Sequence, residues 1–222
     1  TSGIRAAATL CGMDALTRNI LNYISLNPRD IGAYRDLVSM QRQRRHDGTD
    51  EHDALKASLD AVIAAMRGGW ADVEGISALM EAHRDLLTLD GKWDFDSFAQ
   101  AMEIDRTPDS RLWLPRRKQL WRLYQELQWF ETDPNAEFLS VSMPPRTGKS
   151  SNCSMAMVWH LGRDPLHSNL MTAHSDKLTK HFYQQCLQFV SDPEYRFSGI
   201  IPDSPLVWQS SEDEAFSLKK HG

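Results

Sequence analysis

Cysteine is scarce in this chain: Cys11, Cys153 and Cys186 are the only three in 222 residues. Three scattered thiols exclude a disulfide framework and a cysteine-based zinc site, and they suit a reducing, intracellular setting. No run of about 18 apolar residues occurs, which excludes a membrane-spanning helix. Thr1 to Leu10 lacks the cationic start and apolar core of a secretory signal. The eight histidines show no metal-ligand spacing. No period of about 20–50 residues repeats and no low-complexity tract appears, so solenoids and tethers are excluded as well. An excess of positive charge is also missing. The net charge is −5, so any contact with DNA has to come from a local patch. What is present, 41% apolar and 25% charged residues, is ordinary for one or two globular domains with a real core.

The charge is unevenly spread. Residues 1–110 carry 12 cationic and 18 acidic residues, whereas residues 111–222 carry 13 and 12. The first part reads as helical. Apolar residues recur at helical spacing from Met13 to Leu26, then from Ile31 to Met40 behind a capping Asp30. Asp47-Gly48-Thr49-Asp50 reads as a loop. Leu55, Leu59, Val62, Ile63 and Met66 mark a third helix closed by Gly68-Gly69. Val73, Ile76, Leu79, Met80 and His83 mark a fourth within Trp70 to Leu87. A short helix from Asp94 to Met102 follows. Proline and small polar residues cluster at Thr107-Pro108-Asp109-Ser110. The expected division is therefore a helical region 1–106, a linker 107–115 and a second domain 116–222.

The second domain reads differently. Arg116 to Phe130 is an amphipathic helix, Phe138 to Ser142 a short apolar strand, and Lys149 to Leu161 a helix. Leu170 to Ala173 is a second strand, and Asp176 to Val190 a helix. Strand, helix, strand, helix predicts an α/β fold: a parallel sheet with flanking helices following the helical N-terminal region. The tail after Gly199 shows only brief apolar pieces, at Ile200-Ile201 and Leu206-Val207-Trp208.

Between the first expected strand and its helix stands Met143-Pro144-Pro145-Arg146-Thr147-Gly148-Lys149-Ser150. Strand, Gly-Lys-Ser, helix is the context of a phosphate-binding loop. Backbone N–H groups around Thr147 to Ser150 are expected to wrap the β-phosphate, helped by the helix N-terminus. Lys149 reaches the β- and γ-phosphates, and the Ser150 hydroxyl holds magnesium. The usual first glycine is replaced by Met143, and the Pro144-Pro145 pair stiffens the entry in its place. The alternative is a surface turn that happens to contain Gly-Lys-Ser.

Pro145, Arg146, Thr147, Gly148, Lys149, Ser150 and Ser151 are thus the nucleotide-binding candidates, with Lys149 and Arg146 as the candidate catalytic pair. Arg146 either stabilises charge developing at the γ-phosphate or pairs with a neighbouring acid and holds the loop's shape. Gln119 either reads adenine with its amide or is a solvated helix residue. Arg111, Arg116, Arg117, Lys118 and Arg122 form a basic cluster that contacts phosphates of DNA or nucleotide, or simply a solvated face. Arg42, Arg44, Arg45 and His46 complement a helix C-terminus. Cys153 reads as a small buried hydrophobe. A magnesium-holding strand ending in Asp is not found. Leu86 to Asp90 precedes the loop in a helical region, and Glu212-Asp213-Glu214 follows Gln209-Ser210-Ser211, which is too polar for a buried strand.

Pro144-Pro145-Arg146-Thr147-Gly148-Lys149-Ser150 resembles the ATPase loop of the large terminase subunit of tailed bacteriophages and prophages. Met171 to Phe182 is similar to that family's next strand, turn and helix, Gln119 matches its adenine-reading position, and Trp208 falls at an apolar segment of such proteins. The resemblance covers residues 111–222. It implies ATP and magnesium as cofactors and a motor that moves double-stranded DNA into a procapsid. It also implies a homo-oligomeric ring on the portal protein, a small terminase subunit as partner, and the cytoplasm of a bacterial host as location. The parent protein would also be an endonuclease. Without the magnesium-holding Asp, these residues are expected to be its N-terminal portion and inactive alone. Two other readings compete: a helicase-like P-loop ATPase acting on nucleic acid, and a helical adaptor whose degenerate loop serves only to bind partners.

Overall fold

The structure is a computed structural model and describes residues 14–44, 49–164, 169–192, 206–212 and 215–220. The expectations for Thr1 to Met13, Arg45 to Gly48, Ile200-Ile201 and Asp213-Glu214 lie outside those residues. The chain divides into two compact units, Thr1–Trp93 and Asp94–Gly222. The division precedes the short helix that the sequence assigns to the N-terminal region, so that helix and the expected linker both belong to the second unit.

The first unit is helical, with α1 Ala15–Leu26, α2 Ile31–Gln43, α3 Thr49–Arg67 and α4 Val73–Asp90. Aspartates start three of them. Asp14 accepts from the amides of Leu16 and Thr17, Asp30 from Ala33, and Asp72 from Gly75, each satisfying amides that a helix start leaves open. Gly69, at φ +62°, follows α3 in a conformation that suits glycine. The core is built from Ile24, Tyr34, Leu37, Val38, Leu55, Leu59, Val62, Leu79 and Leu86. Two polar ties cross it: Gln41 Nε2 donates to Ser58 Oγ at 3.2 Å, and the fully buried Asp90 meets His52 Nδ1 at 2.8 Å and Lys56 Nζ at 3.0 Å. Leu86 to Asp90 is thus the end of a helix, and its acid is committed locally. On α4 the buried stripe runs through Gly75, Ala78, Leu79 and Ala82. Val73, Ile76 and Met80, which the apolar spacing places on one face with Leu79, are exposed.

The second unit holds α5 Phe95–Glu103, 3-10 turns at Pro108–Ser110 and Leu114–Arg116, α6 Arg117–Thr132, α7 Lys149–Arg163 and α8 Asp176–Ser191. Its core gathers Phe95, Phe98, Ala99, Met102, Trp113, Leu120, Leu123, Tyr124, Met155 and Trp159. The Tyr124 ring is stacked between Trp113, at 3.3 Å between centroids, and Phe95, at 4.4 Å.

The expected α/β architecture is overturned. Among the described residues the fold is helical and no parallel sheet forms. Phe138 to Ser142 and Leu170 to Ala173 have no ladder partner, and Phe138 and Leu170 are 80% and 87% exposed. A parallel strand is stable only when neighbours pair it and both faces are covered, and these two runs meet neither condition. The strands among the described residues lie instead in the tail. There β1 Leu206–Glu212 and β2 Ala215–Lys220 form an antiparallel hairpin, with an irregularity between Trp208 and Ser210. Gln209-Ser210-Ser211, read as unfit for a buried strand, lies within β1.

Candidate functional site

The loop from Met143 to Gly148 is fixed at both ends. Val141 and Met143 pack against the second unit's aromatic core, so the side chain that replaces the usual glycine anchors the loop's entry. Within the loop, Thr147 Oγ1 donates to the Pro144 carbonyl at 2.9 Å. At the exit, Asn152 donates twice to the Gly148 carbonyl, from its amide at 3.0 Å and from Nδ2 at 2.8 Å. Asn152 is fully buried, and its Oδ1 accepts from the Tyr124 hydroxyl at 2.7 Å.

Backbone sign alternation gives the loop its shape. Arg146 has φ +65° and Gly148 φ +90°, whereas Thr147 between them is not left-handed and Lys149 begins a helix. A left-handed Gly148 followed by the helical Lys149 turns successive N–H groups toward one concave side, the form of an anion nest. Gly148 is also pressed: a Cβ on it would meet Asn152 Nδ2 and Leu112 Cδ1 at 3.3 Å and Arg116 Nη1 at 3.4 Å. Helix α7 then starts without a side-chain cap and without an acid in its first turn. The amides of Lys149, Ser150 and Ser151 meet no acceptor among the described residues, so the helix presents open donors and the positive end of its dipole.

Beside the loop lies an open cleft of about 280 Å³, lined by Val141, Lys149, Ser150, Cys153, Ser154, Met171 and Phe182. It brings the Gly-Lys-Ser motif against both segments expected as strands. The Ser154 hydroxyl is buried and meets no partner among the described residues. Burial pushes the Cys153 thiol up, and the nearby Lys149 charge opposes that shift. Among the described residues no acid lines the cleft, and no three His, Cys, Asp or Glu side chains gather into a metal site. The Ser150 hydroxyl is exposed, meets no protein partner among the described residues, and could supply one oxygen to a magnesium ion.

The remaining candidates sort plainly. Arg146 is exposed and pairs with no acid among the described residues. Pro145 is exposed. The Ser151 hydroxyl accepts from Gln185 Nε2 at 2.9 Å, which ties α7 to α8. Gln119 is exposed on the first turn of α6 and hydrogen-bonds nothing among the described residues. Neither Asn152 nor Tyr124, the residues that hold the loop, is singled out as a site residue by the sequence. The available signal was a polar Asn on the apolar face of α7, one turn past Gly148. No helix among the described residues is long and apolar enough to cross a membrane. No protein-family model, curated protein or solved structure matches this chain.

Proposed function

We propose that residues 144–151 bind the triphosphate of ATP with magnesium, and that the chain is the nucleotide-binding portion of a DNA-packaging motor similar to the large terminase subunit. The observation that carries the nucleotide reading is the nest at Gly148 and Lys149, behind a left-handed Arg146, with the open amides of Lys149, Ser150 and Ser151. That arrangement offers several donors to one anion without a side-chain competitor. Lys149 adds an ammonium and Arg146 an exposed guanidinium that meets no acid among the described residues. Ser150 would hold the magnesium, which supplies charge neutralisation at the phosphates when bound. The reading rests on the loop and on no sheet. Double-stranded DNA, a portal protein, a small terminase subunit and a homo-oligomeric ring belong to the same proposal, carried by the Pro-Pro-Arg-Thr-Gly-Lys-Ser resemblance.

Calorimetric titration of the chain with ATP in magnesium tests it. The expected result is binding that Lys149→Ala weakens tenfold or more, about 1.4 kcal/mol. Equal binding by wild type and Lys149→Ala, or none by wild type, would overturn the proposal.

A further inference from the structure

Five cations crowd the stretch Arg111, Arg116, Arg117, Lys118 and Arg122, and the structure gives them different tasks. Arg111 ties the chain to itself, donating from Nε to the Arg106 carbonyl and from Nη2 to the Ile104 carbonyl, both at 2.8 Å. Arg117 grips Asp96 through Nε at 2.9 Å and Nη2 at 2.7 Å. Arg122 stands 3.8 Å from Glu126. The Arg116 guanidinium is exposed and has no hydrogen-bond or ion-pair partner among the described residues, yet its Nη1 comes within 3.4 Å of where a Cβ on Gly148 would stand. Lys118 is exposed and is not among the groups that crowd Gly148.

The placement of Arg116 is built in. It closes the 3-10 turn Leu114–Arg116, and the amides of Leu112 and Trp113 before the turn and of Leu114 at its start all donate to the buried Glu103 carboxylate at 2.8–2.9 Å. Trp113 Nε1 donates to Asp96 at 2.9 Å, and the Trp113 ring stacks on Tyr124, whose hydroxyl reaches Asn152 and through it the Gly148 carbonyl. The same buried ring thus braces both the turn that carries the arginine and the loop glycine it faces. An exposed guanidinium that comes this close to Gly148 has the shape and charge to fork onto phosphate oxygens bound beside it.

We propose that Arg116 is a phosphate ligand of the bound nucleotide, a second cation supplied to the polyphosphate chain from outside the loop. This rests on the nucleotide reading above. Binding of magnesium-ATP, and its competition by inorganic tripolyphosphate, tests it in wild type, Arg116→Ala, Arg116→Lys and Arg122→Ala. The expected result is a tenfold or greater loss of affinity for both ligands in Arg116→Ala, with an unchanged thermal midpoint because the side chain is exposed. Arg116→Lys recovers part of that loss and Arg122→Ala none is lost. Wild-type affinity in Arg116→Ala beside a loss in Lys149→Ala would overturn this assignment and leave the loop's role standing. Wild type that binds neither ligand would overturn both. Arg116→Ala that keeps ATP but loses binding to duplex DNA would make Arg116 a DNA contact instead.

Discussion

The Tyr124 hydroxyl donates to Asn152 Oδ1 across 2.7 Å inside the second unit's core, and Asn152 in turn holds the Gly148 carbonyl. Burial, and next the negative charge of Glu103 and Asp96, push the tyrosine's pKa well above its usual value, so the hydroxyl stays protonated as a donor. A buried helix asparagine would otherwise carry an unsatisfied carbonyl, and this pairing turns it into a brace for the loop.

That brace can be cut from either side. Tyr124→Phe leaves Asn152 Oδ1 buried without a donor and is expected to cost ~1–3 kcal/mol. Asn152→Ala is expected to cost a similar amount and also to weaken ATP binding several-fold, because the Gly148 carbonyl loses its side-chain partner. Urea unfolding and ATP titration of the two variants measure both effects. Unchanged stability in Tyr124→Phe would show that Asn152 Oδ1 finds another donor.

Two left-handed glycines separate strain from function. Gly69→Ala meets nothing within 4 Å, so only its φ of +62° counts, and a loss of ~1–2 kcal/mol is expected with ATP binding intact. Gly148→Ala adds contacts at 3.3–3.4 Å on three sides to a φ of +90°. It is expected to destabilise at least as much and to abolish ATP binding. Retained binding in Gly148→Ala would mean that the nest is not where the phosphates sit.

The helices were legible in the sequence because two local signals coincide, a helical apolar period and an aspartate at the start, as at Asp30 and Asp94. The period misplaced one face. It marks Val73, Ile76 and Met80 because they are large, whereas burial on α4 follows Gly75, Ala78 and Ala82, whose small side chains admit close neighbours. The sheet was misread because a four- or five-residue apolar run says nothing of its partner, and strand pairing is a non-local event. The tail hairpin left a signal that went unused, the alternation of Phe216 and Leu218 with Ser217 and Lys219. At the site, Gly148, Lys149 and Ser150 are contiguous and could be read directly. Asn152, Tyr124 and Arg116 matter only through the packing of α6 and its preceding turn against α7.

Burial raises the Cys186 thiol from 9.0 to about 11. A thiol with a raised folded pKa adds stability that is complete below about pH 9 and is lost as pH climbs toward 11, since only the unfolded chain ionises in that window. Stability should therefore fall over pH 9–11 by up to ~2–3 kcal/mol, and Cys186→Ala, with a lower baseline, should flatten that limb. Equal slopes in wild type and variant would contradict the assignment.

Turnover should be weak or absent. Among the described residues the cleft beside Lys149 and Ser150 carries no acid, and phosphoryl transfer to water needs a group to orient the nucleophile as well as a metal-holding carboxylate. Phosphate release by the chain with magnesium-ATP is expected at the buffer background. Release that Lys149→Ala abolishes would place a catalytic carboxylate somewhere other than this lining.

The central claim is that open backbone amides around Gly148 grip phosphate. Amide hydrogen exchange with and without magnesium-ATP reads those groups directly. Slowed exchange at Thr147 through Ser151 upon nucleotide addition, lost in Lys149→Ala, is the predicted result. Unaltered exchange across those five amides at saturating nucleotide would contradict the account.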